Sequence, residues 1–204
     1  MAAEVKAAPL ILASASQARA HMLKAAGVAF ECVPPRLDED ALKAGIRAAG
    51  ASPRDIADAL AQAKALKVSQ RHPGRLVLGA DQVLELDGQA FDKAPDRDHA
   101  EAYLRLLRGR AHRQISAMVV AENGQPVWRH VATASLHMRS FSDDFLRQYL
   151  AQAGDALTTA VGGYWLEDIG SQLFSRIDGD YFTVLGLPLL PLLDYLRVRG
   201  VLAT

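Results

Sequence analysis

Cysteine is nearly missing: Cys32 is alone in 204 residues, which excludes an internal disulfide and a zinc site built from cysteines. Charge of either sign is not in excess. Twenty-three basic residues balance 23 acidic ones, so no global field draws the chain to nucleic acid or to an anionic membrane. Long hydrophobic runs are lacking too. The longest, Tyr181 to Leu193, is interrupted by Thr183, Gly186, Pro188 and Pro191 and falls short of the roughly 20 residues a membrane span needs. The opening Met1 to Pro9 carries one charge of each sign and no apolar core, so it does not read as a signal peptide. Internal repeats and low-complexity tracts are absent, which removes solenoids and arrays. The standard glycine-rich phosphate loops, the nucleophile elbow and the paired-histidine zinc motif are absent as well. What remains is a cytoplasmic globular chain, read as one domain over residues 1–204, with half of its residues hydrophobic.

Strands and helices alternate along it. Leu10 to Ala13 is a short apolar run of the kind a buried strand shows, and Ser16 then caps a helix that stops at Gly27. Val28 to Val33 reads as a strand closed by Pro34-Pro35. Ser52-Pro53-Arg-Asp55 opens a helix on which Ile56, Leu60 and Ala63 recur at helical spacing. Leu76 to Leu86 is strand-like and turns at Asp87-Gly88 into Gln89 to Phe91. Further helices are predicted over Asp96 to Arg108, from Ser142 to about Ala151, and from Pro188 to Arg199. Asn123-Gly124 predicts a second hairpin, and Asp178-Gly179 a third between Leu173–Ile177 and Tyr181–Leu185. This order gives an α/β fold with a mixed, twisted central sheet, flanking helices and hairpin extensions.

Candidate chemistry is scattered. Between the first strand and the first helix, Ser14, Ser16 and Arg19 surround a helix N-terminus, where backbone N–H groups and a guanidinium suit a phosphate; a capped helix with a surface arginine reads the same way. Asp81 follows the apolar run Leu76-Val-Leu78, at a place where strand ends border ligand crevices, and equally suits a turn. Asp38-Glu39-Asp40 offers oxygen ligands for Mg²⁺ or Mn²⁺, yet as an isolated run it reads as a solvated loop. Lys64 and Lys93 read by default as surface charges. The six histidines show no ligand spacing.

Taken in order, these segments resemble the Maf family of nucleotide pyrophosphatases, from about Leu10 to Gly200. The opening Leu10 to Arg19 is similar to that family's Leu-x-Leu-Ala-Ser-x-Ser-x-x-Arg. Phe30 to Glu39 resembles its strand running into an Asp-Glu pair, and Leu60-Ala-Gln-Ala-Lys64-Ala65 its Leu-Ala-x-x-Lys-Ala helix. Gly79-Ala-Asp81 and Lys93 follow in place, and Gly179 to Pro188 is close to Gly-x-x-x-x-Val-x-Gly-Leu-Pro. The resemblance implies a fold of the Maf and inosine-triphosphatase kind. It also implies metal-dependent hydrolysis of a nucleoside triphosphate between its α and β phosphates. On that expectation Ser14, Ser16, Arg19, Lys64 and Lys93 grip the phosphates, groups suited to spreading positive charge over a polyanion. Asp81 acts as the base for the attacking water, and Glu39 with Asp81 holds Mg²⁺ or Mn²⁺.

The resemblance further implies that Ala18, Gln82 and Glu167 choose the substrate. Many members carry arginine, threonine and glutamine at those three positions. Gln82 with Glu167 resembles the subfamily acting on 7-methyl-GTP rather than the one acting on dTTP and UTP. A carboxylate at 167 can accept from the N1–H and N2–H₂ edge of guanine, and Tyr164 or Trp165 beside it could stack on a methylated, cationic base or simply pack in the core. A weakly active nucleotide-binding regulator of septum formation is the alternative of another class. A homodimer is left open, and neither nucleic acid nor membrane is an expected partner.

Overall fold

The structure, a computed structural model, describes residues 9–204, so the reading of the first eight residues lies outside it. Seven strands form one mixed sheet: β1 (Leu10–Leu12), β2 (Phe30–Cys32), β3 (Val77–Leu86), β4 (Gln89–Phe91), β5 (Ala111–Glu122), β6 (Gln125–Met138) and β7 (Phe174–Asp178). Their order is β2-β1-β3-β5-β6-β7, with β4 also pairing β3. The helices are α1 (Gln17–Ala25), α2 (Glu39–Ala48), α3 (Pro53–Ser69), α4 (Arg97–Leu107), α5 (Asp143–Gln152), α6 (Ala156–Thr159), α7 (Tyr181–Val184) and α8 (Leu189–Val198), with a 3-10 turn at Ile169–Leu173. Helical crossovers make β1 parallel to β2 and β3, and the two predicted hairpins, β3–β4 and β5–β6, are antiparallel. The mixed sheet expected from the sequence is therefore what forms.

One detail of register creates the site. β1 ends opposite Leu78, and antiparallel β4 ends, at Phe91, opposite Leu84 on the same edge of β3. Gly79 to Val83 thus face no strand there, while β5 pairs them continuously on the other edge. The sheet is split open at Asp81. Alternation then sends Gly79, Asp81 and Val83 to one face and Leu78, Ala80 and Gln82 to the other.

The first face is covered by α3, whose start is fixed by a capping box between Ser52 and Asp55 and by Pro53. Its small buried residues Ala57, Ala61 and Ala65 let it lie against the strand. At Gly79 the two backbones nearly touch: a Cβ there would come 2.1 Å from the Ala61 carbonyl oxygen. The opposite face packs Leu78 and Ala80 with Leu10, Leu12, Met22, Leu23, Leu187, Leu192 and Leu196.

Two local expectations are corrected. β7 does pair with β6, Ile177 opposite Leu136, but no return strand follows Asp178-Gly179. The chain instead coils into α7, because the Asp180 carboxylate accepts from the Thr183 N–H as an N-cap. Asp38-Glu39-Asp40 is not a loop but the start of α2, with Asp38 Oδ1 accepting from the Ala41 N–H at 3.0 Å. The short α6 and the 3-10 turn were not foreseen. No described helix is long and apolar enough to cross a membrane.

Candidate active site

Four segments converge on the opening in the sheet. The end of β1 delivers Ser14, which is buried, and its Oγ accepts from the Ser16 N–H at 3.1 Å. Ser16 caps α1 by accepting from the Arg19 N–H. Arg19 therefore leaves the first turn of α1 facing inward, and it is 9% exposed. Its Nε donates to the Gly186 carbonyl at 2.9 Å and its Nη1 to Ser14 Oγ at 3.3 Å. No carboxylate lies within ion-pair distance of this guanidinium among the described residues. Burial pulls its pKa down, opposed by the charges of Asp81 and Glu39.

From the other side α3 delivers Lys64, which is 6% exposed rather than the surface charge its sequence context suggests. Its Nζ is shared by two carboxylates, Asp81 Oδ1 at 2.7 Å and Glu39 Oε2 at 2.8 Å. Asp81 is buried, whereas the Glu39 side chain at the start of α2 keeps 38% of its surface exposed. α2 has no fully buried residue and is held to the body partly by Lys43 and Arg47, which pair with Asp92 at 3.0 and 2.9 Å. Lys93, next in the chain, is anchored through a backbone bridge to Val161. Partial burial lowers its pKa, and the positive charges of Arg19 and Lys64 push the same way against Glu39 and Asp81. It has no ion-pair partner among the described residues. The cluster thus holds three cations against two carboxylates, and both carboxylates sit on a single cation.

Such an arrangement suits a polyanion, since two cations are unneutralised and one of them is buried. For a divalent metal the chemistry of the donors is a fair fit. No group of three or more His, Cys, Asp or Glu gathers among the described residues, so a cage made wholly of protein is absent. Mg²⁺, however, commonly takes one or two carboxylates and completes its shell with water and phosphate, and Asp81 with Glu39 supplies that pair.

The three expected specificity residues occupy separate places. Gln82 lies half-buried on the face opposite Asp81, and its Nε2 donates to the carbonyls of Thr183 at 3.2 Å and Val184 at 2.8 Å. Ala18 is the half-exposed second residue of α1. Glu167 is exposed in a turn and makes no hydrogen bond or ion pair among the described residues. Of its aromatic neighbours, Tyr164 is core: its hydroxyl accepts from Gln114 Nε2 at 2.8 Å and lies 2.7 Å from His112 Nε2. Trp165 is 37% exposed. Gly186 and Ser116 were missed by sequence reasoning. Gly186 acts through its backbone, for which only the Gly-Leu-Pro of the closing motif is a signal. Ser116 sits mid-strand with nothing local to distinguish it.

Residues 9–199 match the family described as Maf-like protein. Among similar proteins, one from Caulobacter vibrioides is 56% identical over 194 residues, covering 95% of this chain and 97% of that protein. Another, from Ruegeria pomeroyi, is 52% identical over 196 residues, covering 96% and 98%. A third, from Granulibacter bethesdensis, is 54% identical over 193 residues, covering 95% and 98%. Each of the three bears the name nucleoside triphosphate pyrophosphatase.

Proposed function

The chain belongs to the Maf-like protein family, and from that premise we propose that it is a nucleoside triphosphate pyrophosphatase, releasing nucleoside monophosphate and pyrophosphate. The observation that carries this reading is the buried Arg19 guanidinium, held by a carbonyl and a hydroxyl and left without a carboxylate. A charge removed from water in that way calls for an anion.

In this reading Arg19, Ser14 and Lys93 bind phosphate oxygens, and Ser16 fixes the first turn of α1 that carries Arg19. Asp81 has Oδ1 committed to Lys64. Its Oδ2 is the atom that orients the attacking water and accepts its proton. Lys64 holds and aims the Asp81 carboxylate, and supplies positive charge where the anhydride breaks. Asp81 and Glu39 would hold Mg²⁺ or Mn²⁺, and such an ion supplies charge neutralisation on the phosphoryl oxygens and a more acidic water.

For the nucleotide we put 7-methyl-GTP first. The support is the free carboxylate of Glu167, which suits the donor edge of guanine, beside the exposed indole of Trp165. The test is pyrophosphate release from 7-methyl-GTP, GTP, dTTP, UTP and 5-methyl-UTP with Mg²⁺ or Mn²⁺, with and without EDTA, on wild type and Glu167→Gln. We expect preference for 7-methyl-GTP, its loss in the variant, and silence in EDTA. Preference for dTTP or UTP keeps the reaction and removes the base assignment. No metal-dependent turnover on any of them overturns the reading in favour of a binding protein.

A further inference from the structure

Gln82 donates to carbonyls, not to open space, and those carbonyls belong to the segment that holds Arg19. The carbonyls of Tyr181, Phe182 and Thr183 in α7 accept from the N–H groups of Leu185, Leu187 and Gly186, and the sheet adds side-chain donors to the last two carbonyls of the helix. Thr183 O accepts from Gln82 Nε2 and also from Ser116 Oγ at 2.8 Å, and Val184 O accepts from Gln82 alone of the two. Gln82 and Ser116 are direct cross-strand partners in β3 and β5, so both donors rise from one spot on the same face. Two residues on, Gly186 takes φ +94° and turns its carbonyl to Arg19 Nε. A Cβ on Gly186 would lie 3.2 Å from Gln82 Oε1 and 3.5 Å from Arg19 Nη2, so the glutamine amide and the guanidinium both lie close beside the glycine.

We propose that Gln82 is a positioning residue for Arg19: it fastens residues 183–186 to the sheet, and the Gly186 carbonyl so fixed aims the guanidinium at the phosphates. Its commitment to main-chain carbonyls makes it a part of the phosphate site on the far side of β3 from Asp81. The inference rests on the pyrophosphatase reading, and it differs from a role in reading the base by what it does to a ligand that has none.

The probe is inorganic pyrophosphate with Mg²⁺, its affinity measured by calorimetry on wild type, Gln82→Met, Arg19→Met and the double variant. Met keeps the length and volume of the glutamine and removes both donated hydrogen bonds. We expect Gln82→Met to weaken pyrophosphate about tenfold, the scale of one well-placed hydrogen bond to a charged group. In steady state the same variant raises KM for the preferred nucleotide more than it lowers kcat. In the Arg19→Met background Gln82→Met should cost nothing further, because the group it positions is gone. Ser116→Ala, which removes the other side-chain donor to Thr183 O, should give a smaller loss with the same dependence on Arg19. Unchanged pyrophosphate affinity in Gln82→Met, with an altered nucleotide ranking, makes Gln82 a reader of the base and overturns the inference. Equal losses with and without Arg19 overturn it as well, as general damage. Wild type that turns over the nucleotide yet fails to bind pyrophosphate overturns this inference alone, whereas absence of both turnover and pyrophosphate binding removes the pyrophosphatase reading with it.

Discussion

Lys64 presents one ammonium to two carboxylates, and that sharing separates the consequences of changing either end. In Asp81→Asn the ammonium keeps Glu39 at 2.8 Å, so the variant loses a proton acceptor without stranding a charge. Turnover should fall by roughly a hundredfold to ten-thousandfold, the range for removing a general base, while the unfolding midpoint stays near that of wild type. Lys64→Met does the reverse. It leaves buried Asp81 and half-exposed Glu39 without an ion-pair partner, and removing one partner of a buried pair costs about 3 kcal/mol or more. That variant should lose both activity and stability. Urea unfolding of the two alongside pyrophosphate release checks the contrast, and a stable, inactive Lys64→Met would show that the pair is not held as described. These residues were legible in the sequence as types, a carboxylate at a strand end and a lysine on a helix. Their meeting was not, because it depends on α3 lying across β3, a contact between residues 17 positions apart that no local pattern encodes.

At the level of elements, the approach of α3 to β3 rests on one missing methyl group. Gly79 would place a Cβ 2.1 Å from Ala61 O, 2.6 Å from Ala65 N and 2.9 Å from Ala65 Cβ, all rigid parts of the helix. Gly79→Ala must therefore push α3 off the sheet, at about 3 kcal/mol or more, and carry Lys64 away from Asp81. We expect a lowered melting temperature together with lost turnover. A variant that melts like wild type would show that the helix is free to slide. The elements the sequence foretold well are those with strong local signals: α3 with its Ser-Pro start and the hairpins at Asp87-Gly88 and Asn123-Gly124, whose Asp87 and Asn123 take φ of +52° and +51° as such turns demand. Asp178-Gly179 carried the same signature and misled. Gly179 lies against Ala134 of β6, where a Cβ would come 2.8 Å from the Ala134 Cα, and Asp180 then caps a helical turn. The two residues serve a close crossing over the sheet rather than a hairpin. α2 was missed because its apolar residues Leu42 and Ile46 are only half-buried and its acidic start reads as a solvated run.

For the whole molecule the relevant charge is not the net zero of the sequence but one group kept neutral inside it. His112 on β5 is 2% exposed and shares Tyr164 Oη with Gln114, and this buried trio pins the turn that leads to Trp165 and Glu167. Gln114 also donates to Val161 O, and Tyr149 Oη to Gly163 O, in the same turn. Burial, with a smaller push from the charge of His137, lowers the His112 pKa from 6.5 to about 4. The unfolded chain therefore binds this proton at a higher pH than the folded one. Stability is retained above about pH 6.5 and lost progressively as the pH falls towards 4, by about 3 kcal/mol in full, the equivalent of the shift at 1.36 kcal/mol per unit. Carboxylates such as Asp96 and Asp143, whose pKa values are lowered by their hydrogen bonds, add to the acid sensitivity at still lower pH. His112→Gln separates the two contributions, since it keeps a neutral polar group at every pH and leaves the carboxylates untouched. Between pH 7 and pH 4, wild type should lose about 3 kcal/mol more than this variant in urea unfolding. If both lose the same amount, His112 is protonated in the folded protein, and the trio that fixes the 161–167 turn is bonded in another way.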